Sequence, residues 1–190
     1  MADTISSLEV FGDNGPMASL PHAHDEAHLS DLAYRLVTAL AARHQWLAVA
    51  ESCTGGLLAT TITYVPGASA VFYGGVVSYA NAAKERWLEV APHLVASHGA
   101  VSAEVATAMV EGLLAVPSVG LACAITGIAG PSGGTPTKPV GTVFIAVGDQ
   151  TGVEAARHQF PGDRSAVRAA TVIQSLRTLL DRIGGGATAH

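Results

Sequence analysis

Six consecutive residues, Glu51-Ser52-Cys53-Thr54-Gly55-Gly56, hold the densest potential for chemistry in the sequence. A short apolar run, Trp46-Leu47-Ala48-Val49-Ala50, leads into them and a second, Leu57-Leu58-Ala59, leads out. The pattern predicts a strand, a tight small-residue turn and a helix. That arrangement lifts a hydroxyl to a strand end and aims backbone N–H groups at whatever binds there. Two chemistries fit: a serine nucleophile with its oxyanion donors, or a phosphate cradle. A nucleophilic serine needs a base, and neither a Ser-His-Asp order nor Gly-x-Ser-x-Gly is present. Tyr79, ending a strand, and Lys84, in the first turns of the next helix, offer one. A desolvated lysine loses its proton near neutral pH and would deprotonate Ser52 directly or through the Tyr79 hydroxyl. The competing reading is a surface lysine and a core tyrosine.

The loop Thr126-Gly127-Ile128-Ala129-Gly130-Pro131-Ser132-Gly133-Gly134-Thr135 is the other candidate. Glycines let backbone N–H groups converge on an anion, and loops this long without regular structure usually serve function. No Gly-Lys-Ser/Thr follows, so it is not a P-loop. Cys53 is an alternative nucleophile, because a turn opening a helix lowers a thiol pKa. His22, His24 and His28 suggest opportunistic metal binding only. His98, before a glycine at the start of a helix, reads as a loop histidine. Arg164 and Arg168 share a face at the start of the last helix, where one would meet a substrate phosphate or both would be solvated.

The elements that must position these groups follow from periodicity. Residues 1–28 hold Gly, Pro and Asn without sustained apolar period and read as a flexible arm. Residues 29–184 form the domain and 185–190 a tail. Ser30 is placed to cap a helix carrying Leu32, Leu36, Val37 and Leu40. Strand 46–50 and a helix to about 63 follow, then a β-rich stretch over 71–79 broken by Gly74-Gly75, a helix over 81–90 and another over 103–115. A fully buried strand spans 119–125. Strands over 140–147 and 153–160 form a hairpin, and Asp163 caps a last helix. The expected fold is a three-layer α/β/α sandwich with a mixed, mostly parallel sheet and one antiparallel hairpin. The Ser52 turn and the 126–139 loop both leave strand carboxyl ends, where such folds bind ligands.

Composition narrows the partners. Charged residues are only 13% and the net charge is −5, with no basic stripe, so nucleic acid is not expected. No apolar run is long enough to span a bilayer, and the N-terminus lacks a charged n-region followed by an apolar h-region. Two cysteines, Cys53 and Cys123, make no disulfide framework. A cytoplasmic protein is expected.

The ordered blocks Ala50-Glu51-Ser52-Cys53-Thr54-Gly55-Gly56, Val65-Pro66-Gly67-Ala68-Ser69, Gly74-Gly75-Val76-Val77-Ser78-Tyr79 with Lys84, His98-Gly99-Ala100-Val101-Ser102, Thr126-Gly127-Ile128-Ala129-Gly130-Pro131, Lys138-Pro139-Val140-Gly141-Thr142-Val143 and Gly162-Asp163-Arg164 resemble the CinA C-terminal domain family, the nicotinamide-nucleotide amidohydrolases. The resemblance covers about residues 30–183 and looks like a stand-alone form. It implies hydrolysis of the nicotinamide mononucleotide carboxamide to nicotinate mononucleotide and ammonia, in pyridine-nucleotide salvage. Ser52 matches the family nucleophile, and Tyr79 and Lys84 match its tyrosine and lysine. Thr126 matches the family's active-site threonine. Substrate contacts are expected from Thr54, Gly55, Gly56 and Gly75, and from Thr126, Gly127, Gly130 and Arg164. No metal or cofactor is implied, and a homodimer is. The family's usual Tyr-Ser-Asn is here Tyr79-Ala80-Asn81. A binding module without catalysis and an amidase of another small amide are the competing functions.

Overall fold

The structure is a computed structural model that describes residues 23–185. Its elements run α1 (Ala23–Ala42), β1 (Trp46–Glu51), α2 (Leu57–Thr63), a 3₁₀ turn (Ala68–Ala70), β2 (Phe72–Val77), α3 (Asn81–Leu88), α4 (Pro92–His98), α5 (Ala103–Leu114), β3 (Val119–Gly127), β4 (Thr142–Asp149), β5 (Gly152–Gln159) and α6 (Arg164–Gly185). The sheet order is β2-β1-β3-β4-β5. β1 pairs in parallel with both β2 and β3, while β4 pairs antiparallel with β3 and with β5. Only β4 therefore opposes the common strand direction, which makes the sheet mixed and mostly parallel with one hairpin, as the sequence predicted.

Alternation of side-chain size along the central strands decides which helices go where. Leu47 and Val49 of β1, and Leu121, Cys123 and Ile125 of β3, face one core with α1, α2 and α6. Their neighbours Ala48, Ala50, Ala122 and Ala124 face the other core with α5 and the end of α3. Large side chains on one face and alanines on the other follow from the two-residue period of a strand. The alanine face lets α5 lie close to the sheet, and both faces are covered, as parallel strands require.

Several boundaries differ from the sequence reading. α1 begins at Ala23, so Ser30 lies inside the helix and residues 23–28 are helical rather than arm. Leu29, Leu32, Leu36 and Leu40 are all buried, so packing carries the helix past the polar stretch where a cap was expected. The rest of the arm, residues 1–22, and residues 186–190 of the tail lie outside the described residues. α4 was not anticipated, although Pro92 at its start is a recognised helix-opening residue. Asp163 caps as expected, its Oδ1 accepting from Ala166 N–H at 2.9 Å, and Ser102 is a further cap, its Oγ accepting from Val105 N–H at 3.3 Å.

Candidate active site

Ser52 stands directly beyond β1. Its N–H extends the strand ladder to Ile125 O (3.0 Å) and its carbonyl accepts Gly55 N–H (3.1 Å), which closes the turn. Gly55 and Gly56 have φ of 59° and 92°, in the left-handed region open to glycine. Glu51, 1% exposed, lies under this turn. Its Oε2 accepts Gly56 and Leu58 N–H at 3.0 and 3.1 Å, and its Oε1 accepts Ala59 N–H at 2.8 Å. A buried carboxylate thus takes up the orphan donors at the start of α2. From α6, Arg168 grips the Thr54 carbonyl with Nη2 at 2.7 Å and Nε at 3.2 Å.

These bonds correct part of the sequence reading. The N–H groups of Gly55 and Gly56 are consumed by the turn and cannot serve as oxyanion donors; those of Cys53 and Thr54 donate to no backbone carbonyl. Thr54 is fully buried and, like Gly55 and Gly56, does not line the cavity beside Ser52. Gly75 does not either. It lies on β2, where a Cβ would come within 3.0 Å of Val49 Cγ2 and 3.2 Å of Ala59 Cβ, so its role is to let α2 pack on the sheet. Arg168 serves the turn, not a phosphate.

Lys84 reaches the serine. It is 1% exposed, on the buried face of α3 one turn before Leu88. Nζ lies 2.7 Å from Ser78 O, 3.4 Å from Tyr79 O and 3.2 Å from Ser52 Oγ. A neutral amine has two N–H donors and one lone pair. Nζ donates to the Ser52 hydroxyl and to the two carbonyls; once the amine is neutral, its two N–H donors can stay on the carbonyls and its lone pair turn to Ser52. Burial pushes the Lys84 pKa down, against only the Cys53 thiol, which would raise it as a thiolate. Burial pushes Cys53 itself up to about 11, with Glu51 adding to the rise, which disfavours the thiolate and with it the cysteine-nucleophile alternative.

Tyr79 does not place its hydroxyl between Lys84 and Ser52. Its side chain is largely exposed and its hydroxyl accepts from Arg164 Nη2 at 3.1 Å; only its backbone carbonyl meets Lys84. The reason is positional: Tyr79 precedes α3 at the cavity rim, while Lys84 enters from inside the helix.

The cavity, of about 360 Å³, is lined at the carboxyl ends of β1, β2 and β3 by Ser52, Cys53, Tyr79, Asn81, Lys84, Ala100 and Val101, by Thr126 to Gly130 of the loop with Ser132 and Gly133, and by Arg164. Its size suits a small molecule. Thr126, Gly127, Gly130 and Arg164 all line it. The Thr126 hydroxyl donates to Ala100 O at 2.7 Å, and Lys138 Nζ donates to Val101 O at 2.6 Å and His98 O at 2.9 Å, so the loop is tied to the wall opposite. In the loop, Ile128 and Thr135 donate their N–H groups to backbone oxygens, whereas those of Ala129, Gly130, Ser132 and Gly133 are not used by the fold. Among the described residues no carboxylate lines the cavity.

His98 ends α4 and pairs with Glu104 at 3.2 Å, outside the cavity. His28 Nε2 lies 3.0 Å from Arg177 Nη2; His22 and the side chain of His24 fall outside the described residues. Among the described residues no three histidine, cysteine or acidic side chains gather as a metal site. No helix among them is long and apolar enough to cross a membrane. Sequence reasoning gave no role to Asn81 on the wall, Glu51 under the turn or Lys138 across the loop, and held Ser132 only as one residue of the candidate loop. Only Glu51, a charged residue ending an apolar strand, carried a local signal.

Fold and site together define a three-layer α/β domain with a serine–lysine pair in a cleft at its parallel strand ends. The CinA C-terminal domain profile matches residues 29–183. The chain belongs to that family. It is 53% identical over 144 residues to a CinA-like protein of Anaeromyxobacter sp. (strain K), covering 76% of this chain and 35% of the relative. A Geobacter metallireducens CinA-like protein is 53% identical over 137 residues, covering 72% and 33%. The chain thus spans about a third of the length of these curated relatives. Among solved structures, the competence/damage-inducible protein CihA from Agrobacterium tumefaciens superposes with a TM-score of 0.80 at 36% identity, covering 87% of this chain and 98% of that one. A CinA superfamily protein from Klebsiella pneumoniae gives 0.79 at 36% identity, covering 83% and 98%.

Proposed function

We propose that this chain hydrolyses the carboxamide of nicotinamide mononucleotide to nicotinate mononucleotide and ammonia. The observation that carries the reading is the buried Lys84 amine 3.2 Å from Ser52 Oγ, with two carbonyls accepting its N–H donors. Lys84 takes the Ser52 proton as Oγ bonds to the amide carbon. The resulting oxyanion is met by the N–H group of Cys53, which lines the cavity beside Ser52, an effect often worth about 3 kcal/mol per donor. The C–N bond then breaks, the lysine ammonium protonates the departing nitrogen, and ammonia leaves an acyl-serine. Lys84 next deprotonates a water, whose attack releases the carboxylate and returns the proton to Ser52. Arg164 and the unused N–H groups of the 129–133 stretch form the anion side of the cavity, suited to the nucleotide phosphate. The reading extends to a cytoplasmic homodimer in pyridine-nucleotide salvage.

The test is ammonia release from nicotinamide mononucleotide. Ser52→Ala should abolish it, and full activity in that variant overturns the nucleophile. Because Lys84 must be neutral, the rate should rise with pH through the lysine pKa and level off below the ordinary value of 10.5. Lys84→Arg, unable to lose its proton, should cost roughly 10²–10⁴-fold.

A further inference from the structure

Tyr79 has a hydroxyl at the rim of the cavity and no contact from it to either member of the serine–lysine pair. Its bond goes to Arg164 Nη2 at 3.1 Å, and Arg164 Nη1 donates to Gly130 O, also at 3.1 Å. The guanidinium is thus pinned at both terminal nitrogens, between the segment that follows β2 and the loop that follows β3. Five N–H donors are available to an arginine, so three remain for a ligand. Among the described residues Arg164 takes part in no ion pair and no carboxylate lines the cavity around it. A half-buried cation without a counter-charge, beside loop N–H groups the fold does not use, awaits an anion.

We propose that Tyr79 is a positioning residue, whose hydroxyl, with the Gly130 carbonyl, holds the Arg164 guanidinium in the cavity wall to receive an anionic group of the substrate. An arginine side chain is long and loses considerable rotamer freedom when fixed. Two bonds made before the ligand arrives remove most of that loss from the binding step. Tyr79 therefore serves binding, not proton transfer. Its backbone carbonyl, which meets Lys84, is untouched by a side-chain change, so the two roles separate experimentally.

The inference rests on the amidase reading for its kinetic readout. Tyr79→Phe, Arg164→Gln and the double variant are assayed on nicotinamide mononucleotide and on nicotinamide riboside, which lacks the phosphate. Tyr79→Phe should raise KM for the nucleotide roughly tenfold, the size expected for one hydrogen bond to a charged group, with kcat within about twofold. The riboside should be turned over equally by wild type and Tyr79→Phe. In the Arg164→Gln background the Tyr79 change should add nothing, since the hydroxyl acts through that guanidinium. A fall in kcat on both substrates, as a proton relay requires, overturns the proposal, and so do additive effects of the two changes. If the wild type turns over neither substrate, the amidase reading fails instead. Calorimetric titration with nicotinate mononucleotide then decides: about tenfold weaker binding by Tyr79→Phe, absent in the Arg164→Gln background, upholds the positioning role. Equal binding, or none, overturns it.

Discussion

Glu51 and Lys84 are the two charged-type side chains buried to 1% exposure next to the serine, and each is buried for a different reason. Removing a charge from water is expensive unless it is paired or neutralised. Glu51 meets that cost with three backbone N–H bonds at the start of α2. Lys84 meets it by a lowered pKa, which is also what a base needs. Glu51→Gln tests the first half of this pair. One amide oxygen cannot replace two carboxylate oxygens, and the new NH₂ would face backbone donors. Thermal and denaturant unfolding should show a loss on the order of 3 kcal/mol, and turnover should fall with it because the Ser52 turn loses its support. Wild-type stability in the glutamine variant would show that the three bonds do not hold the turn.

At the scale of elements, the distance from Lys84 to Ser52 is set by how α3 lies against α5. Gly112 is an isolated glycine inside α5, a position where alanine is the better helix former by about 1 kcal/mol. A Cβ there would run into the Leu88 carbonyl at the end of α3. Leu88 is one turn beyond Lys84 on the same buried face. Gly112→Ala should therefore push α3 away despite the gain in propensity, with a net loss of about 1–3 kcal/mol. The more telling result is kinetic: kcat should drop at least about tenfold, because a 3.2 Å proton-transfer contact has no slack. A variant that is more stable and fully active would show that α3 is not set by this contact.

For the whole molecule, the sheet is stitched to its last helix far from the cleft. Arg182 of α6 holds Asp149 at the β4–β5 turn through Nη2 at 2.8 Å and Nε at 2.9 Å, and Glu154 through Nη1 at 3.0 Å. That guanidinium holds the Asp149 carboxyl well below the usual carboxylate range. A depressed carboxylate pKa means that the unfolded chain binds the proton more readily. The stabilisation is thus present above the ordinary value of 3.8 and is lost as pH falls through the folded-state pKa. Arg182→Ala should cost about 1–3 kcal/mol at neutral pH and flatten the acid part of the stability profile, measured by urea midpoints at stepped pH; an unchanged acid slope would assign it elsewhere. Much of this architecture was legible in the sequence. The apolar run Trp46-Leu47-Ala48-Val49-Ala50, the Gly55-Gly56 turn and the Asp163 cap are local signals, and local spacing carries them. So is the ordered set of blocks around Ser52, Tyr79, Lys84 and Thr126 that pointed to the family. The start of α1 was not legible, because burial of Leu29 against the core overrides the polar residues before it. The roles inside the site were not legible either. Spacing brought Tyr79 and Lys84 near Ser52 without saying which of them touches it, and offered the N–H groups of Gly55 and Gly56 as oxyanion donors. Residue types along the chain determined which groups were available. Only the packing of α3, α6 and the 126–139 loop around β1 decided their partners, because a hydrogen bond depends on a few tenths of an ångström between atoms that are 32 to 114 positions apart in sequence.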